Sequence, residues 1–170
     1  MASIWLFGDD VNTDLIVPGR FAPYMTSEDE LARSAFVEAR PEFATEVQPG
    51  DVLVAGPNFG CGSSREYAAK ALALCRLGAV CAPSFARIFY RNALNLGLPL
   101  VEVDLRELSD REEVELDLER GRLVHGGGEI QLPAPPEFAR ALWSSGGLVP
   151  YFREHGTFPV HNAAAGGEGE

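Results

Sequence analysis

From Ser3 to Val103, short apolar runs alternate with longer segments whose apolar residues recur at helical spacing. The runs Ser3–Phe7 (SIWLF), Asp51–Ala55 (DVLVA), Ala79–Ala82 (AVCA) and Leu98–Val103 (LPLVEV) predict strands. Between them, Ser27 and Glu30 form a capping-box pattern ahead of Leu31, Ala35 and Phe36, which predicts a helix over 27–37. Pro41 opens a helical turn to Val47, and two further helices are expected, one running from Ser63 to about Leu77 and one opened by Ser84 and ending near Gly97. Strands separated by helices argue for parallel pairing. After Val103 the period changes to two. Glu113–Leu118, Arg122–His125 and Glu129–Leu132 read as short strands joined by turns at Gly121 and Gly126–Gly128. The prolines of Pro133–Pro136 make a stiff bend, Glu137–Trp143 opens a last amphipathic helix, and Leu148–His155 adds one turn or two.

Composition narrows this picture only a little. With 170 residues, 46% of them hydrophobic, one α/β domain over 1–159 is expected, and the glycine-rich, apolar-poor segment 160–170 is expected to be a disordered tail. A net charge of −11 disfavours nucleic acid and anionic membrane as partners. No cationic leader and no long apolar run appears, so a cytoplasmic chain is expected. Cys61, Cys75 and Cys81 lack the spacing of a disulfide framework, and His125, His155 and His161 are scattered, so no metal site is expected here.

The candidate chemistry lies in Asp51–Leu77, which reads strand, glycine-rich turn, helix. Gly56, Gly60 and Gly62 allow the backbone to approach a ligand closely, and a helix start aims N–H groups at it. The glycines do not match the dinucleotide fingerprint, and no lysine stands where a Walker loop needs one. Ser63, Ser64 and Arg65 follow directly. Two readings of Ser63 stay open on spacing alone, a helix cap or a reactive hydroxyl activated by positive potential. Arg65 brings a cation with fork geometry for a carboxylate, and the amides of Gly60, Cys61 and Gly62 are candidate oxyanion donors. Upstream, the long segment Gly8–Gly19 contains Asp14, an Asx-turn residue by its local pattern, and leads through Pro18–Gly19 to Arg20.

Two motifs in order, NTDLIVPGR (12–20) and GPNFGCGSSREYA (56–68), resemble the swivelling domain of the aconitase superfamily over roughly residues 4–159. In stand-alone form that domain is the small subunit of 3-isopropylmalate dehydratase or homoaconitase. The resemblance implies a swivelling β/β/α domain with a mixed, partly barrel-like sheet and flanking helices. It implies hydro-lyase chemistry on a small dicarboxylate or tricarboxylate, with Ser63 as the alkoxide base, Asp14 in the active site, and Ser64 and Arg65 gripping a carboxylate. It also implies an aconitase-like large subunit, in a heterodimer or heterotetramer, that carries a 4Fe-4S cluster, this chain carrying none. Related small subunits commonly read Y-L-R-T after P-G-R. Here Phe21, Ala22, Pro23 and Tyr24 follow Arg20, an apolar and aromatic loop that suits an isopropyl arm and leaves open a longer carboxylate arm contacted elsewhere.

Overall fold

The computed structural model describes residues 1–21 and 27–159; Ala22, Pro23, Tyr24 and the expected tail 160–170 lie outside them. Seven strands form one mixed sheet: β1 (Ala2–Leu6), β2 (Val52–Val54), β3 (Ala79–Ala82), β4 (Leu100–Glu102), β5 (Glu113–Asp117), β6 (Arg122–His125) and β7 (Gly128–Gln131). Their order across the sheet is β4-β3-β2-β1-β5-β6-β7, parallel from β4 to β1 and antiparallel from β1 to β7, and the sheet curls into a half-barrel. The change of period after Val103 thus marks the change of pairing.

The parallel strands bury both faces, which is why they read as unbroken apolar runs. Trp5, Leu53 and Val80 face one core together with the helices, whereas Ile4, Val52, Val54, Ala79 and Cys81 face a second core with Leu105, Val114 and Leu123. Asp51, ahead of β2, is buried but satisfied. Its carboxylate accepts the Ser3 N–H at 2.8 Å, the Trp5 indole N–H at 2.9 Å and the Gln48 N–H at 2.9 Å, which locks β1 beside β2.

The helices are α1 (Thr13–Ile16), α2 (Glu28–Arg33), α3 (Pro41–Glu46), α4 (Tyr67–Leu74), α5 (Arg87–Asn95), α6 (Glu137–Ser145) and α7 (Leu148–His155). The Ser27–Glu30 capping box forms as expected, and α2 is shorter than the apolar spacing suggested. Two expected helix starts are displaced. Helix α4 begins at Tyr67 instead of Ser63, because the segment before it is tied to another part of the chain by hydrogen bonds described below. Helix α5 begins at Arg87, and Ser84 caps nothing in it; its hydroxyl accepts the Asn58 N–H at 2.8 Å and anchors the glycine-rich turn instead. Among the described residues no helix is long and apolar enough to cross a membrane.

Candidate active site

Parallel pairing sends the segments after β1, β2 and β3 to one end of the sheet, and the candidate residues sit on those segments. The turn after β2 is clamped on both sides. Phe59 bridges to Phe85, the Ala86 N–H reaches the Phe59 carbonyl at 2.9 Å, and the Gly60 N–H donates to the Val11 carbonyl at 2.7 Å. Glycine is required at two of these positions. A Cβ on Gly60, which has φ +79°, would fall 2.2 Å from the Phe89 ring, and one on Gly56 would fall 2.8 Å from the Asp9 backbone.

The segment after β1 contributes α1, a short helix absent from the sequence expectation. Asn12 caps it, its side chain accepting the Leu15 N–H at 2.8 Å. Asp14 is therefore a first-turn helical residue, exposed, and not the Asx turn its neighbours suggested. Thr13 reaches the other segment: its N–H donates to the Cys61 carbonyl at 2.8 Å and its hydroxyl accepts the Ser63 N–H at 2.9 Å.

These contacts remove one of the two local readings of Ser63, the helix cap. The residue at the N-cap position of α4 is Glu66, and Ser63 lies three residues ahead of it, outside the helix and half-buried. Its Oγ accepts the Arg65 N–H at 3.3 Å, a contact that favours negative charge on the oxygen. Ser63 is not the helix cap. Arg65 is exposed, and its guanidinium donates to the Tyr67 hydroxyl at 2.7 Å. The Tyr67 hydroxyl first, and the nearby Asp14 carboxylate after it, raise the guanidinium's pKa above its ordinary value, so it is a permanent cation. A Cβ on Gly19 would lie 3.0 Å from Arg65 Nη1 and 3.3 Å from Asp14 Oδ1, which places cation and carboxylate together against the Pro18–Gly19 turn.

Other candidates are placed differently. Ser64 is exposed, and its carbonyl receives Asn92 Nδ2 from α5 at 3.5 Å. The Gly60 amide is already bonded to Val11, and Cys61 is bridged to Asn12 with its carbonyl accepting the Thr13 N–H, so among the three proposed oxyanion donors Gly60 is the one already committed. Arg20 forms a salt bridge with Glu38 and lies 4.9 Å from the Phe21 ring centroid, and no contact among the described residues joins it to Ser63 or Arg65. Asn12, Thr13 and Tyr67 are residues that sequence reasoning missed. Asn12 carried a signal, an N-cap residue immediately before a helical tetrapeptide, whereas Thr13 and Tyr67 act through contacts that spacing does not encode.

Residues 13–104 match the aconitase C-terminal domain. The chain belongs to this family. It is 54% identical over 166 residues to 3-isopropylmalate dehydratase small subunit 1 of Deinococcus radiodurans, covering 97% of this chain and 94% of that protein. It is 48% identical over 161 residues to the homoaconitase small subunit of Thermus thermophilus, covering 94% and 99%. The crystal structure of 3-isopropylmalate dehydratase from Methanocaldococcus jannaschii superposes with a TM-score of 0.84 at 41% identity, covering 91% of this chain and 93% of that one. The half-barrel and its flanking helices are thus those of an aconitase-type domain, and small-subunit relatives imply a larger partner subunit.

The cysteines of this aconitase-type domain do not fit an iron–sulfur cluster. Cluster iron needs convergent thiolates. Burial pushes the Cys75 thiol up to about 11 and the Cys81 thiol up to about 12, and the two belong to different cores on opposite faces of the sheet. Among the described residues no three His, Cys, Asp or Glu side chains converge as metal ligands.

Proposed function

We propose that this chain is the small subunit of a cytoplasmic two-subunit hydro-lyase that isomerises 3-isopropylmalate by dehydration and rehydration. The observation that carries the reading is the convergence of the Arg65 guanidinium and the Asp14 carboxylate on Gly19, one hydrogen-bonded turn away from the Ser63 hydroxyl. In this reading Arg65 holds a substrate carboxylate as a forked cation. Ser63 Oγ, as the alkoxide stabilised by the Arg65 N–H directed at it, takes the proton from the substrate carbon and becomes the neutral hydroxyl. Ser64, beside Arg65, supplies a second hydroxyl to the same carboxylate. The Gly62 amide is available to an oxyanion. The leaving hydroxyl requires a Lewis acid, and the 4Fe-4S cluster that supplies it belongs to the aconitase-like large subunit.

Homoaconitase is the second reading, favoured by the 48% identical relative from Thermus thermophilus. The two readings differ in the substrate's variable arm, apolar in one case and a carboxyalkyl group in the other. Arg20, Phe21, Pro23 and Tyr24 are assigned to that arm. Because Glu38 already pairs Arg20, the loop offers no free cation from this residue, which favours the apolar arm. The test is turnover of 3-isopropylmalate and of homoaconitate by the chain co-expressed with its large subunit. Preference for 3-isopropylmalate supports the reading, and preference for homoaconitate replaces it. Pro23→Arg should shift the ratio of kcat/KM values toward the carboxyalkyl substrate; an unchanged ratio assigns the choice to another segment.

A further inference from the structure

Thr13 is one of three buried polar residues among those described, with 5% of its surface exposed, and the chemistry above gives it no role. Its contacts are specific. On one side of Gly62 its N–H donates to the Cys61 carbonyl at 2.8 Å, and on the other its hydroxyl accepts the Ser63 N–H at 2.9 Å. The turn between them bends round this hydroxyl: Gly62 has φ +106°, and a Cβ there would lie 3.2 Å from Thr13 Oγ1. The neighbours of Thr13 face the same turn. Asn12 bridges to Cys61, and Asp14 shares the Gly19 corner with Arg65. Residues 12–14 thus run beside 61–65 across a gap of 50 positions in sequence, and Thr13 is the rung that holds the amide of Ser63.

We propose that Thr13 is a positioning residue for Ser63, its hydroxyl fixing the direction in which the serine side chain leaves the turn relative to Asp14 and Arg65. The inference rests on the reading of Ser63 as the base. A buried hydroxyl cannot be replaced by solvent, so its loss leaves the Ser63 amide without a partner and frees the turn to relax. A reacting oxygen displaced by a fraction of its distance to the substrate proton loses rate, while the carboxylate grip on Arg65 is kept.

Valine has the size and shape of threonine without the acceptor, and serine keeps the acceptor without the methyl. In the reconstituted complex, Thr13→Val should lower kcat by about 10- to 100-fold while KM stays within about twofold. Thr13→Ser should return kcat to within about threefold of the parent, because it keeps the acceptor. A second readout needs no turnover. In the full-length small subunit alone, amide hydrogen exchange at Ser63 should quicken by about tenfold or more in Thr13→Val, with the amides of β2 unchanged.

Near-parental kcat in Thr13→Val, or a Ser63 amide as slow as in the parent, overturns the proposal. So does a Thr13→Ser variant as impaired as Thr13→Val, which would assign the effect to the methyl group and packing. Ser63→Ala, measured beside them, separates the two claims. If it still turns over, the base assignment fails; if it is inactive while Thr13→Val is fully active, only the role of Thr13 fails.

Discussion

The parallel half of the sheet and its antiparallel half use glycine for opposite purposes. In the turn after β2, Gly56 and Gly60 are places where a side chain has no room, since a Cβ would enter the Asp9 backbone or the Phe89 ring. In the turn between β6 and β7, a Cβ on Gly126 or Gly128 would meet nothing within 4 Å. One loop is compressed against two neighbouring segments; the other closes a hairpin in solvent. Crowding of that kind holds side chains within fractions of an ångström, which suits the crowded loop to the chemistry proposed for it.

The largest effect is expected at Ser63. Ser63→Ala should lower turnover of the reconstituted complex by about 10²- to 10⁴-fold, the usual range for removal of a general base, with KM little changed. Near-parental turnover would leave the crowded loop without its reacting group. The glycines sharpen the contrast next. Gly60→Ala combines overlap with Phe89 and a left-handed φ, and should cost about 1–3 kcal/mol in chemical denaturation. Gly126→Ala should stay within about 0.5 kcal/mol of the parent. Equal losses at the two sites would remove the distinction.

A smaller effect is expected at Tyr67. Tyr67→Phe leaves Arg65 charged but unheld, and loss of one hydrogen bond of about 0.5–1.5 kcal/mol should raise KM for the dicarboxylate about two- to tenfold, with kcat kept. A fall in kcat with constant KM would place Tyr67 in the proton-transfer step instead. The smallest expected effect joins the two halves. Arg40, which precedes α3, grips Asp110 ahead of β5 through bonds of 2.9 and 2.7 Å, and these hold the Asp110 carboxyl below the usual carboxylate range. A depressed folded-state pKa stabilises the protein above the ordinary aspartate value of about 3.9 and loses that contribution as pH falls through the folded-state value. The melting difference between the parent and Asp110→Asn should therefore be constant near neutrality and shrink in acid. A difference that grows as pH falls would reverse the sign of the pair's contribution.

How much of this was legible in the sequence depended on the range of the interactions. Strands β1, β2 and β3 were readable because burial on both faces writes an apolar run, and the hairpins because solvent on one side writes alternation. The Ser27 capping box is local and formed as read. The start of α4 was misplaced for the opposite reason. A serine before a helix usually caps it, but Thr13 holds the Ser63 amide outside the helix, from 50 positions away. Asp14 was singled out only by family resemblance, since its pattern suggested a turn and its setting depends on a cap at Asn12. Arg65 was recognisable as a cation, yet its orientation depends on Tyr67 and Asp14, whose convergence emerges only from the folded chain.

The position of β1 bears on how the chain is made. This strand is made before the other six, yet it lies at the centre of the sheet, with Ile4 opposite Val52 and Ala2 opposite Val114. At synthesis rates of about 5–20 residues per second, the wait for its second neighbour is roughly 5–20 s. During that interval Ile4 and Trp5, both fully buried in the finished protein, have one edge uncovered. Nascent chains stalled before β5 should therefore be held by chaperones, and release should coincide with the appearance of the hairpins.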